Sequence, residues 1–239
     1  MLSSLSSGED PCCLNFGNAS PSLSPATSPL SDKESPEVHN IQNEIDSLLG
    51  CAGDLFPLIA RMSKVANHLT EKVITQDEIP YIEEAIQIRD ELKDWIPPET
   101  DILHRSEDIH CSVEDIVATA ETYRLTALLH LYRAFPPLGK DVDRLAHEIL
   151  NRLLLIPKTS GSLCIHIWPL MAAGCEHADP VKRADVRSRF EDIRQKLMVA
   201  NVDSAIQLLE EVWKRRDAGD VNAGWASLAR ERGWHLLLG

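Results

Sequence analysis

Three short clusters in this chain carry residue types that could do chemistry. Cys175-Glu176-His177 places a thiol, a carboxylate and an imidazole in a row. His147-Glu148 begins the H-E-x-x-H spacing that sets two histidines on one helix face for zinc, with the glutamate as base. Ser160-Gly161-Ser162 offers hydroxyls beside a flexible glycine. Each fails a test of spacing. Asn151 stands where the second zinc histidine belongs. Consecutive helical residues point about 100° apart, so Cys175, Glu176 and His177 cannot meet one ion without donors from another segment. His104, His110 and Cys111 could supply them, but the simpler reading is buried cysteines and surface histidines. The serine pair has no nearby base and no G-x-S-x-G frame, so it turns the chain into a helix. Asp141 and Asp143 mark a helix start. Glu83-Glu84 and Glu210-Glu211 read as solvated faces, and neither nucleotide-binding glycine pattern is present. No catalytic, cofactor-binding or metal-binding residue is assigned, and the chain is not read as an enzyme.

These clusters sit in or beside the oddest stretch of the chain, Ser160 to Pro180. It is apolar for only about 13 residues, short of the roughly 20 that a spanning helix needs, so no membrane role is expected. The start Met-Leu-Ser-Ser lacks a basic region followed by an apolar run, which argues against a secretory signal. Six cysteines, at 12, 13, 51, 111, 164 and 175, form no C-x-x-C pair. A reducing compartment without a disulfide framework follows. The net charge of −13 disfavours phosphate contact, so no direct DNA binding is expected of this chain.

The elements follow from periodicity. Residues 1–37 are rich in Ser and Pro and should be disordered. The Ser-Pro steps at Ser20, Ser24, Ser28 and Ser35 could be read by proline-directed kinases, although a linker is the simpler reading. From residue 38 to 239 the pattern is helical throughout, predicting an all-α, right- or left-handed array of seven to nine helices with no sheet. Ile41, Ile45, Leu48 and Leu49 share a face ahead of Gly50. Leu55 to Val73 follows with Asp54 as N-cap. A third helix carries Ile79, Ile82, Ile86, Trp95 and Ile96 to a stop at Pro97-Pro98. Ser112 opens a long, mostly buried helix that ends at Pro136-Pro137, and Asp141 caps the next, which stops before Pro157. The Ser160–Pro180 stretch should be a core helix kinked by Pro169, with Gly174 allowing close approach by a neighbour. Asp179-Pro180 starts a more polar helix. Asn201 caps one carrying Val202, Leu209 and Trp213, with Glu210–Lys214 and Glu211–Arg215 paired on its exposed side. A short helix from Trp225 and the tail GWHLLLG close the chain. Trp168, Trp213, Trp225 and Trp234 read as core anchors in preference to the lining of a ligand pocket. The basic run VKRADVRSRFEDIRQK and the KRRD at Lys214–Asp217 read as solvent faces, with Arg187, Arg189 and Arg194 marking a possible docking side.

Several segments in sequence order carry a family resemblance. EIDSLLGCAGDLFPLIARMSKVA (44–66), YRLTALLHLYRAF (123–135), IPKTSGSLCIHIWPLMAAGCEHADPVKRADVRSRF (156–190), NVDSAIQLLEEVWKRRDAG (201–219) and GWHLLLG (233–239) resemble fungal-specific transcription factor domains. The resemblance covers roughly residues 40–239 and corresponds to the later portion of that domain. It implies the regulatory half of a nuclear regulator of RNA polymerase II transcription, a class that usually follows a zinc binuclear-cluster DNA-binding module. No six-cysteine cluster occurs here. The implied partners are proteins of the transcription machinery or a DNA-binding partner, homodimerisation being among the allowed associations. The competing reading is a free-standing helical adaptor with no transcriptional role.

Overall fold

A computed structural model describes residues 51–70, 75–99, 112–197 and 200–234. The expected disordered tail, the Ile41–Leu49 helix, Val73 and the end of GWHLLLG lie outside the described residues. Among the described residues there are eight α-helices and no strand: α1 (Leu55–Leu69), α2 (Ile79–Asp94), α3 (Val113–Ala134), α4 (Val142–Leu155), α5 (Ile167–Gly174), α6 (Pro180–Leu197), α7 (Ala200–Asp217) and α8 (Trp225–Glu231).

Two helices form the centre. The long α3 touches α1, α2, α4 and α5; the short α5 touches α3, α4, α6 and α7; α8 is reached through α7. All eight residues of α5 are buried, as suits a helix apolar on every side. The wide buried face of α3 includes three threonines. Thr122 and Thr126 return their hydroxyls to the α3 carbonyls of Thr119 and Thr122 at 2.7 and 2.6 Å. Thr119 meets His166 Nε2 at 3.0 Å. Polar atoms are thereby admitted to the core with partners, which removes most of their desolvation cost.

Several local expectations hold. Leu55, Leu58, Ile59, Met62, Val65, Ala66 and Leu69 are buried along α1, and Leu145, Ala146, Ile149 and Leu153 along α4. The Ser112 hydroxyl accepts the Asp115 amide at 3.1 Å, capping α3. Glu211 pairs with Arg215 at 3.3 Å.

Other expectations are corrected. In α2 the buried face is Ala85, Ile88 and Leu92, while Ile79 and Ile86 are exposed and Ile96 is 81% exposed. Two apolar stripes compete on this helix. The one containing the small Ala85 lets α1 come close, and Arg61 then reaches Glu84 and Glu91 at 2.8 and 2.7 Å. Asp54 and Asp141 precede their helices without making a side-chain cap. The Asp54 carboxylate instead accepts the Trp95 indole N–H at 2.9 Å. The helix α7 begins at Ala200, one residue before the expected cap position Asn201. Glu210 turns away from Lys214 to Arg187 of α6, 2.9 Å from Nη2.

The expected proline kink is also absent. A 3-10 turn over Gly161–Ile165 ends at His166, and α5 starts afresh at Ile167. Pro169 is then the third helical residue, where an amide would have no intrahelical acceptor, so its ring costs no bond. The first α5 bond runs from the Leu170 amide to the His166 carbonyl, 3.0 Å.

Gly174 permits the close approach read from the sequence. A Cβ there would lie 2.9 Å from Val186 Cγ1 of α6 and 3.3 Å from Leu209 Cδ1 of α7. Its carbonyl accepts the Trp213 indole N–H at 2.8 Å. Trp168, Leu170, Leu209 and Trp213 are all buried. Trp213→Ala should therefore cost on the order of 3–5 kcal/mol in reversible denaturant unfolding. Gly174→Ala should cost about 1–3 kcal/mol through overpacking. Adding Val186→Ala to Gly174→Ala should leave a loss smaller than the two single losses combined, because it removes the colliding methyl; strict additivity would show that the contact is not the cause.

Candidate functional site

The structure brings some of the sequence candidates together, by routes their spacing did not foretell. His147 of α4 and His177, just after α5, have ring centroids 5.7 Å apart. The half-complete H-E-x-x-H and the Cys-Glu-His run thus meet through one histidine each. No group of three His, Cys, Asp or Glu side chains that could hold a metal occurs among the described residues. His104, His110 and Cys111 lie outside them. His177 is buried, correcting its reading as a surface histidine, and burial lowers its pKa below the usual imidazole range. His166 is buried likewise. Cys175 is also buried, and burial pushes its thiol up to about 12; Cys51 is pushed up to about 11 for the same reason. Both are neutral thiols at physiological pH, the wrong form for a ligand or nucleophile.

Ser160 and Ser162 are buried with hydroxyls 3.1 Å apart. Asp141 pairs with Arg144 at 3.4 Å at the start of α4. Ser160 precedes the 3-10 turn and Asp141 precedes α4, as expected of helix starts, but neither side chain caps its helix.

Glu176 takes the role that spacing hid. Its side chain is 7% exposed. Its two oxygens accept both terminal nitrogens of Arg216 on α7 at 3.0 Å, a bidentate pair. Arg133 of α3 adds a third contact at 3.1 Å. Arg216 also donates to the Ala223 carbonyl at 2.8 Å, ahead of α8. One carboxylate thus ties α3, α5 and α7 together and fixes the approach to α8. Its partners lie 43 and 40 residues away in sequence, so no local signal reveals the cluster.

The late helices carry a second network. Arg183 and Arg187 of α6 lie over the Trp213 ring at 5.1 and 4.6 Å from its centroid. Arg183 is held bidentately by Asp217 at 2.7 and 2.8 Å, Arg194 by Glu191, and Arg215 by Glu231 at 2.8 Å. Arg189 departs from the expected solvent face. It is 3% exposed and donates from Nη2 to the Ile156 carbonyl at 2.7 Å; burial lowers its pKa from the ordinary arginine value.

The tryptophans divide between their two readings. Trp168 and Trp213 are core anchors. Trp225 is half-buried and helps line a cavity of about 530 Å³ between the ends of α1, α3 and α5 and the start of α8. His130 stands in that wall, its ring centroid 5.6 Å from that of Trp225. Burial, with a smaller push from Arg230, lowers its pKa to about 4; burial also lowers His166 to about 3, with smaller pushes from Arg189 and Lys196. Both fold as neutral imidazoles, so the unfolded chain binds more protons between these values and about 6.5. Stability is therefore complete above about pH 6.5 and falls as pH drops through that window. The melting midpoint should decrease from pH 7 to pH 5, and His130→Gln should flatten that slope; a midpoint constant over this range would contradict the assignment.

No helix among the described residues is long and apolar enough to cross a membrane. Comparison with known proteins gives one consistent direction. An "uncharacterized transcriptional regulatory protein" of Schizosaccharomyces pombe is 24% identical over 122 residues, a match covering 49% of this chain and 23% of the relative. The chain thus matches less than a quarter of that relative's length. No solved structure matches. The model of the fungal specific transcription factor domain matches residues 1–239, extending over the Ser/Pro-rich segment that the motifs had left out. By that match over its whole length, with an all-helical fold of the expected kind, the chain belongs to the fungal specific transcription factor domain family.

Proposed function

We propose that this chain is a regulatory domain of a fungal transcription regulator, acting in the nucleus on RNA polymerase II transcription through a protein partner or an effector, with DNA reading supplied elsewhere. Family membership supports the transcriptional role. The observation that carries the indirect mode is the state of the arginines on the late helices. Arg183, Arg187, Arg194, Arg215 and Arg216 each already face a carboxylate, and Arg189 is buried. Phosphate binding needs cations free to replace counterions. Within a chain of net charge −13 these cations are already occupied.

The outer side of α6 and α7 is the proposed docking side, now without Arg189. Arg187 and Arg194 are about half-exposed there and held by surface acids, Arg187 lying also over the Trp213 ring. Exposed pairs of this kind contribute little to stability, roughly 0–1 kcal/mol. A duplex would bring its phosphates against Glu191 and Glu210, whereas a protein surface of mixed charge can match both signs, so a mixed-charge face of a partner protein is the complementary surface.

Fused to an unrelated DNA-binding domain in a fungal nucleus, the chain should change output from a reporter bearing that domain's site. The purified chain alone should not shift duplex DNA with sequence preference at physiological salt. Arg194→Glu should reduce the reporter effect while leaving the melt nearly unchanged, and Arg187→Glu should reduce it at some cost in stability, because Arg187 also covers Trp213. Specific duplex binding by the chain alone, or a reporter insensitive to the fusion, would contradict the proposal.

A further inference from the structure

The cavity beside Trp225 differs in charge from the rest of the chain. Its volume, about 530 Å³, lies within the range of small-molecule sites. Leu129, Phe135, Ala172 and Trp225 give it an apolar lining. Its charged wall residues are Arg133, Arg230 and Glu176. Glu176 is already bound at both oxygens by Arg216 behind the wall and touched by Arg133. Arg230 has no ion-pair or hydrogen-bond partner for its side chain among the described residues. Two arginines thus share the one carboxylate and a third, Arg230, adds its charge to the wall, in a protein whose net charge is −13. An unmatched guanidinium at the rim of an apolar hollow is unfavourable unless an anion or water meets it.

We propose that this cavity binds a small organic carboxylate with an aromatic or aliphatic body, the carboxylate meeting Arg230 and Arg133 and the body lying against Trp225, Leu129 and Phe135. The planar fork of arginine matches a carboxylate at two points, and the aromatic wall takes the apolar part. His130 in the wall is uncharged and adds nothing to the field. Nucleotides fit less well, since the wall has neither a glycine-rich loop nor the N-terminal end of a long helix to cradle a polyphosphate. The proposal stands on the cavity alone and goes beyond the transcriptional reading.

A matched pair of probes tests it: 4-phenylbutyrate and 4-phenylbutylamine share a body and differ in the sign of charge. In calorimetric titration of the full chain, 4-phenylbutyrate should saturate with a Kd of roughly 0.1–1 mM, the range expected for so few atoms. The amine should bind at least about tenfold more weakly, and Arg230→Gln should weaken 4-phenylbutyrate about tenfold, the size of one charge-assisted contact. Arg230→Lys, which keeps the charge but loses the fork, should bind 4-phenylbutyrate more weakly than the parent chain and more tightly than Arg230→Gln. Equal binding of the amine, Arg230→Gln titrating like the parent chain, or no saturable heat from 4-phenylbutyrate up to about 10 mM would each overturn the proposal.

Discussion

One buried carboxylate organises this molecule. Glu176 follows the C-terminus of α5 at 7% exposure and holds Arg216 of α7 bidentately and Arg133 of α3 singly. A buried charge is costly unless it is paired and its oxygens are satisfied. Here the cost is offset by three charge-assisted contacts, and their geometry fixes where three helices end. Next to it, the Gly174 carbonyl receives the Trp213 indole, and Gly174 itself has no side chain because α6 and α7 occupy that space. The polar clasp and the apolar close approach lie two residues apart. Together they meet α5 at its C-terminal end from α3, α6 and α7.

Much of the fold was legible because helical period is local. Long amphipathic runs gave α1 and α4 their cores, although α1 ends at Leu69, short of the expected Val73, and the Ser112 cap was visible as a residue type at a fixed offset. What periodicity could not decide was which of two stripes faces inward. In α2 the choice went to Ala85, Ile88 and Leu92, because tertiary closeness favoured the smaller residue over the bulkier isoleucines. Pro169 misled for a related reason. A proline inside an apolar run signals a kink only if the helix starts before it, and here the helix starts two residues earlier.

The candidate sites were less legible, and the reason is distance in sequence. Glu176 was visible only as the middle of a Cys-Glu-His run, while its arginines lie 43 and 40 residues away. Arg189 shared a helix with solvent-facing arginines, and only its contact with the Ile156 carbonyl distinguishes it. The cavity wall mixes residues from both halves of the chain, so its charge imbalance exists only after folding. The same clasp at the end of α5 therefore leaves Arg133 beside the cavity with its acid already shared. The joining of α3, α5 and α7 and one of the two arginines of the hollow thus involve the same three side chains, while Arg230 enters the hollow from α8.

The most direct test of that account is a double-mutant cycle on unfolding free energy with Glu176→Gln, Arg216→Gln and the pair. If the carboxylate is the organising contact, the coupling should exceed about 1 kcal/mol, since Glu176→Gln leaves Arg216 without its acid and Arg216→Gln leaves Glu176 with only the Arg133 contact, a mismatch the double change removes. Additivity within about 0.3–0.5 kcal/mol, the limit for independent sites, would show that the clasp decorates a fold held by apolar packing alone.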